Sequence, residues 1–131
     1  MSRKKIREHI FKILFCVEFH TKEELEEQIA LCMEELAQVD EKDLDYIRSK
    51  VSKIAELTEE IDAMINASAE KWKTTRMGKA ELTIIRLAVY EMKYEEEIPV
   101  SVAINEAVEL AKVYGSDSSA GFVNGILAKL A

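Results

Sequence analysis

Two groups of side chains in this chain have the types and spacing that suit a polyanion. The first is Arg3, Lys4, Lys5 and Arg7, with Phe15 downstream. Cations at that density neutralise phosphates, and an aromatic ring beside them gives an unstacked base a surface to lie on. The second is Ser116, Asp117, Ser118 and Ser119, followed by Phe122. Hydroxyls and the first amides of a following helix donate to phosphate or to base edges, and Phe122 is a second candidate for stacking. Each group also has a plainer reading. A run of charge is usually a solvated helix end, and serines ahead of an apolar stripe usually cap a helix.

Other chemistries leave little trace. There is no HExxH, CxxC or GxxxxGK[ST]. Neither His9 nor His20 has a glutamate three residues before it, as a di-iron helix bundle requires. Cys16 and His20 stand four apart, but no second pair completes a metal site. No histidine lies near the serines at 116–119 to act as a base. The chain is therefore expected to be no enzyme and to need no cofactor, metal or small-molecule substrate. Cys16 and Cys32 fall on apolar helical stripes and read as reduced core thiols. No apolar run approaches the ~18 residues that span a membrane, and no signal peptide is visible, so a cytoplasmic protein is expected.

The formal net charge is −7, which on its own argues against nucleic acid. Its distribution does not. Residues 1–20 carry five basic and two acidic side chains, residues 21–70 five and fifteen, and residues 71–131 eight of each. A basic arm on an acidic body can still attract phosphate, because the attraction acts within a screening length of about 8–10 Å.

The elements that must hold these groups read as helices throughout. Residues 3–19 place Ile6, Ile10, Ile13, Leu14 and Val17 on one stripe, with Phe11, Phe15 and Phe19 on a second beside it. Thr21 and Glu24 form a capping box for a helix carrying Leu25, Ile29, Cys32, Met33 and Leu36. Asp40 is placed to cap a third with Leu44, Ile47, Val51 and Ile54 inside. Thr58 is placed to cap a fourth with Ile61, Met64, Ile65 and Trp72 inside. Residues 71–79, KWKTTRMGK, hold four cations and no acid; the threonines and Gly78 predict a break.

From Lys79 a helix resumes with Leu82, Ile85, Ala88, Val89 and Met92 inward. Arg86 sits amid apolar neighbours, must be paired, and finds its natural partner in Glu106 or Glu109. Pro99 suits a helix start, and Ile104, Ala107, Val108, Ala111 and Tyr114 make the next stripe. Gly115 stands where a left-handed residue would end that helix, and Phe122, Val123, Ile126, Leu127 and Leu130 form the last stripe. No period-two alternation or hairpin signal is present. The fold class is all-α, with about seven helices joined by short polar loops.

AINEAVELAKVYG followed by FVNGIL, the preceding TTRMGKAELTIIRLAVYE, and RKKIREHIFKILF near the start resemble the NusB family of transcription antitermination factors. The resemblance is closest over residues 72–131, present over 3–19, and limited to helical pattern over 20–71. It implies one RNA-binding domain over 1–131 built as two small packed helical bundles, about 1–71 and 72–131. It implies binding of a boxA-type RNA together with NusE, a protein of the small ribosomal subunit, with Glu81 and its surroundings contacting NusE. The complex would join RNA polymerase and other Nus factors, chiefly in ribosomal RNA transcription. The chain departs from the family pattern in places. Ile6, Ile10 and Phe15 stand where Ala, Ala and Tyr are usual, and Ser118, Ala120 and Gly121 where Asp, His and Lys are frequent. Two rivals remain. One is an RNA-independent helical adaptor or homodimer. The other is a NusB-like module ahead of an RNA methyltransferase, against which the lack of a glycine-rich cofactor domain before Ala131 argues.

Overall fold

The computed structural model describes residues 1–18, 23–36, 38–69 and 71–131. Among these are seven α-helices and no strand: α1 (Arg3–Val17), α2 (Leu25–Met33), α3 (Glu41–Glu56), α4 (Thr58–Ser68), α5 (Lys79–Tyr94), α6 (Val100–Tyr114) and α7 (Ser119–Leu130). Single 3-10 turns follow α2 at Glu34–Leu36 and precede α5 at Thr74–Arg76. The all-α reading of the sequence is what the chain shows. It divides into two compact units, Met1–Glu56 and Leu57–Ala131, so the division falls ahead of α4 and not near residue 71. The reason lies in α4 itself, which packs on α5 and α7 and buries Ile61 and Ile65 completely.

In the first unit α1 packs against α2 and α3, and α2 against α3. Ile10, Phe11, Ile13, Leu14 and Val17 of α1 are buried, as are Ile29, Met33 and Leu36 in and just after α2 and Ile47, Val51 and Ile54 of α3. Ile6, Phe15, Leu25 and Leu44 lie at the unit's half-exposed margin. Thr21 of the expected capping box and Phe19 lie outside the described residues; α2 begins with Glu24 in the cap position and no side-chain cap. Where α3 starts, the Asp40 carbonyl accepts the Leu44 amide at 2.9 Å. Lys50 is buried, with its ammonium donating to the Tyr46 hydroxyl at 3.1 Å and standing 5.3 Å from that ring's centre. Its long apolar stem makes such burial tolerable.

The cysteines depart from expectation. Cys16 is exposed and Cys32 only half-buried. Cys16 precedes buried Val17 by one residue, about 100° round the helix, which turns it off the inner face. The two thiols interact. Burial first, and then a hydrogen bond with Cys16, raises the Cys32 thiol to about 11.

The second unit is built around α5, which α4, α6 and α7 cover. Leu82, Thr83, Ile84, Ile85, Leu87, Ala88, Val89, Tyr90 and Glu91 are all buried, the pattern of an interior helix rather than one with a single stripe; Met92 is half-exposed. α6 is rotated from the expected stripe: Ala103, Ala107, Leu110 and Ala111 are inside, while Ile104, Val108 and Tyr114 are half-exposed. The alanines, spaced by fours, give a smooth row that lets neighbouring helices approach closely. Val123, Ile126, Leu127 and Leu130 of α7 are buried as expected. Lys93, in the last turn of α5, donates to the Leu130 carbonyl at 2.8 Å, a cation placed on the negative end of α7. Thr58 is the first residue of α4 and Leu57 holds the cap position; α4 ends at Ser68, so Trp72 is not on its stripe.

Candidate nucleic-acid interface

In the first unit, Arg3, Lys4 and Lys5 form the first turn of α1, which contains no acid. All three are exposed. The amides at a helix N-terminus are its positive end, so each cation there opposes the macrodipole by roughly 0.3–1 kcal/mol. Ser2 offsets part of this by accepting the Lys5 amide at 3.1 Å. The chain's terminal ammonium stands 3.5 Å from the Asp43 carboxylate. Lys5 and Lys12 flank Glu8 at 3.6 and 3.4 Å, contacts at half-exposed to exposed sites that add little stability. Burial first, and then the charges of Lys12 and Lys5, hold the His9 imidazole below its ordinary 6.5. The exposed side chains of this first turn are therefore all cationic, although the protein carries a net charge of −7.

Arg7, also expected to meet phosphate, is 8% exposed and engaged within the protein, unlike the three exposed cations before it. Phe15 is half-buried, 6.1 Å from buried Phe11 with the rings tilted by 34°. Lys4 and Phe15 are three turns apart and share one face, ~16 Å along the axis.

In the second unit, the joint between α6 and α7 is tighter than a row of capping serines. Ser118 occupies the cap position of α7 without a side-chain cap. Instead Ser119, which is buried, turns its hydroxyl back to accept the Ser116 amide at 2.9 Å. It also lies 3.1 Å from the Ser116 hydroxyl, and the Ser119 amide donates to the Ser116 carbonyl at 3.0 Å. Ser119 thus holds the turn, while Ser116, Asp117 and Ser118 are exposed. Gly115 is not left-handed; its backbone is extended, at φ −101° and ψ −169°. Glycine is needed there for space, because a Cβ would come within 2.5 Å of the Ser119 side chain and 2.8 Å of the Ala111 carbonyl. Phe122, half-buried, meets Trp72 edge to face, centres 6.3 Å apart and planes at 89°.

Glu81 lies in the first turn of α5, half-exposed, with its carboxylate folded over Gly78. Arg86 carries a carboxylate that spacing did not identify. Its Nε donates to Asp62 Oδ1 at 2.8 Å and its second nitrogen to Oδ2 at 2.7 Å, a two-point fork from α5 to α4. Glu109, one of the two partners expected, is exposed and pairs with Lys112 at 3.2 Å. Asp62 was hidden because its own helix reads as an acidic outer face. Trp72 was missed for the opposite reason: counted as one more apolar residue at helical spacing, although the flanking lysines in KWK mark an aromatic set among cations.

The fold and these surfaces define a small helical protein with an exposed cationic helix start and exposed aromatic and hydroxyl groups. No three His, Cys, Asp or Glu side chains gather to hold a metal among the described residues, and no helix there is long and apolar enough to cross a membrane. Residues 4–131 match the NusB family, and the chain belongs to it. It is 56% identical over 131 residues to the transcription antitermination protein NusB of Agathobacter rectalis, with 100% of both chains covered. Its structure is similar to that of T. maritima NusB, with a TM-score of 0.89 and 37% identity over 99% of this chain and 90% of that one. The fold is also that of a NusB solved with NusE and dsRNA, at a TM-score of 0.85 and 24% identity, covering 98% of this chain and 94% of that chain.

Proposed function

We propose that this chain is a transcription antitermination factor that binds a boxA-type single-stranded RNA together with NusE and so modifies RNA polymerase, chiefly on ribosomal RNA operons. It acts by binding and not by catalysis, and it works in the cytoplasm. Other Nus factors join through the complex. Family membership supports the role. The observation that carries RNA binding is the cluster of Arg3, Lys4 and Lys5 on the positive end of α1. That placement works against the helix, and a polyanion reverses its sign: bound phosphates neutralise the cations and also sit at a helix N-terminus. Residues that break a local rule mark functional sites. Phe15, three turns on, offers the base-stacking surface of the arm. In the second unit the exposed hydroxyls of Ser116 and Ser118 are donors to RNA, and Glu81 is the contact to NusE.

The test is a titration of fluorescently labelled boxA RNA with the full chain, alone and with NusE, at several salt concentrations. Binding that tightens with NusE and weakens steeply with salt is expected. An RNA-independent adaptor would bind NusE and leave the RNA untouched under every condition, which overturns the reading.

A further inference from the structure

We infer that Trp72, with the basic loop around it, is a base-stacking site for single-stranded RNA on the second unit. This rests on the proposed RNA-binding role and adds a residue and a surface to it. Tryptophan is among the more buried residue types on average, yet Trp72 is 51% exposed. That exposure is built into the loop. On one side of Thr74, Asn66 accepts its amide at 2.8 Å and donates to its hydroxyl at 3.2 Å. Lys73 donates to the carbonyls of Asn66 and Ala69 at 2.8 and 2.7 Å, closing the C-terminal end of α4. The two residues that follow Trp72 are thus anchored, and on its other flank the ring rests edge to face on Phe122.

The surroundings select the occupant. Residues 71–79 hold Lys71, Lys73, Arg76 and Lys79 and no acid; Lys71 and Arg76 are exposed. An apolar protein surface has no use for that charge, whereas a nucleotide needs both parts: a ring for its base and cations for its phosphates. One unpaired base lies against the indole, and the flanking phosphates meet Lys71 and Arg76.

Trp72 is the sole tryptophan of the chain, so intrinsic emission reports on this ring alone. A single-stranded boxA-type RNA of about twelve nucleotides is titrated into the full chain while emission is followed, and the same RNA carrying a label is followed by anisotropy. RNA should quench Trp72, Trp72→Leu should weaken binding about fivefold or more, and Trp72→Phe should restore most of it, because each stacked base contributes a factor of that order. Thermal melts of the variants check folding, and the quenching requires no variant. RNA that binds while Trp72 emission stays unchanged and Trp72→Leu keeps the parent affinity overturns the stacking site and leaves RNA binding standing. Emission that responds to NusE and not to RNA assigns the surface to a protein and overturns it as well. RNA that fails to bind with or without NusE removes the functional reading itself, and this site with it.

Discussion

Replacing Arg3, Lys4 and Lys5 together with alanine should move RNA affinity and stability in opposite directions. Each phosphate contact on a single strand contributes ~0.7 to the slope of log affinity against log salt, so losing three should flatten it by about two. When salt rises fourfold, the parent should then lose about twentyfold more affinity than the variant. The stability change follows from the first turn of α1. Three cations are removed from the positive end of a helix that has no acid there, a relief of roughly 0.3–1 kcal/mol each. The exposed Lys5–Glu8 contact at 3.6 Å returns at most about 1 kcal/mol of that. A net gain of ~1 kcal/mol raises the melting temperature by about 4 °C in a chain of this size. Fluorescence anisotropy across a salt series and a thermal melt measure the two effects. A folding defect lowers both readouts, so a melting temperature that falls, or a slope that does not change, refutes the assignment. Arg7→Ala is the control: Arg7 is buried, and its loss should lower the melting temperature.

Three further outcomes are expected. Asp62→Ala removes the forked carboxylate from a guanidinium whose side chain is 11% exposed and should cost up to about 3 kcal/mol, more than Arg86→Met, which removes the charge as well; urea titrations giving the reverse order reject the fork, and Glu106→Ala beside them tests whether Glu106 shares Arg86. Iodoacetamide at about pH 8 should label exposed Cys16 well before Cys32, whose thiol, raised from 9.0 to about 11, holds roughly a hundredfold less thiolate than an ordinary one; peptide mapping that finds equal rates would sink this. Because His9 is held below 6.5 in the fold, the unfolded chain takes up that proton first as pH drops, so the His9 contribution is whole above 6.5 and is lost as pH falls through the lowered value; His9→Gln should flatten the decline in melting temperature below pH 6.5, and an unchanged decline shows the proton is bound elsewhere.

The helices themselves were legible in the sequence because their apolar periodicity is strong, and Val51, Ile61, Ile85 and Leu127 are inside as that periodicity requires. Rotation was less legible. On α6, Ile104 and Val108 outweigh alanine on any hydrophobicity scale, yet close packing selects the small row at 103, 107 and 111. Periodicity also continued α4 as far as Trp72, beyond its end at Ser68, since a spacing rule does not register that Lys73 closes the carbonyls first. Gly115 was rightly singled out but for another reason, as the contact that demands glycine comes from Ser119, four residues on. In the arm, sequence named the cations and could not separate Arg7 from its neighbours, because burial is a property of the packed unit.

The two exposed loops of the second unit have a common construction. At residues 71–78 the clamps are Asn66 and Lys73, and at residues 115–118 they are Ser119 and the space left by Gly115. Each clamp is local, made by residues within eight positions of one another, and each leaves its neighbours exposed. Ordering a loop on binding costs conformational entropy that subtracts from affinity. A loop fixed during folding has already met that cost, so its exposed groups bind as rigid surfaces. The clamps and the contacting groups are therefore separable. Loss of Ser119 Oγ frees the Ser116 amide and loosens the joint without removing any group that is exposed, whereas loss of Ser118 Oγ removes an exposed donor and leaves the clamp closed. On this account Ser119→Ala should weaken RNA binding through faster dissociation and lower the melting temperature. Ser118→Ala should weaken binding with the melting temperature unchanged, since Ser118 makes no side-chain cap to lose. Stopped-flow dissociation paired with thermal melts distinguishes them. If Ser119→Ala melts like the parent and binds like it, the serine turn contributes no rigidity and the joint is ordered by helix packing alone.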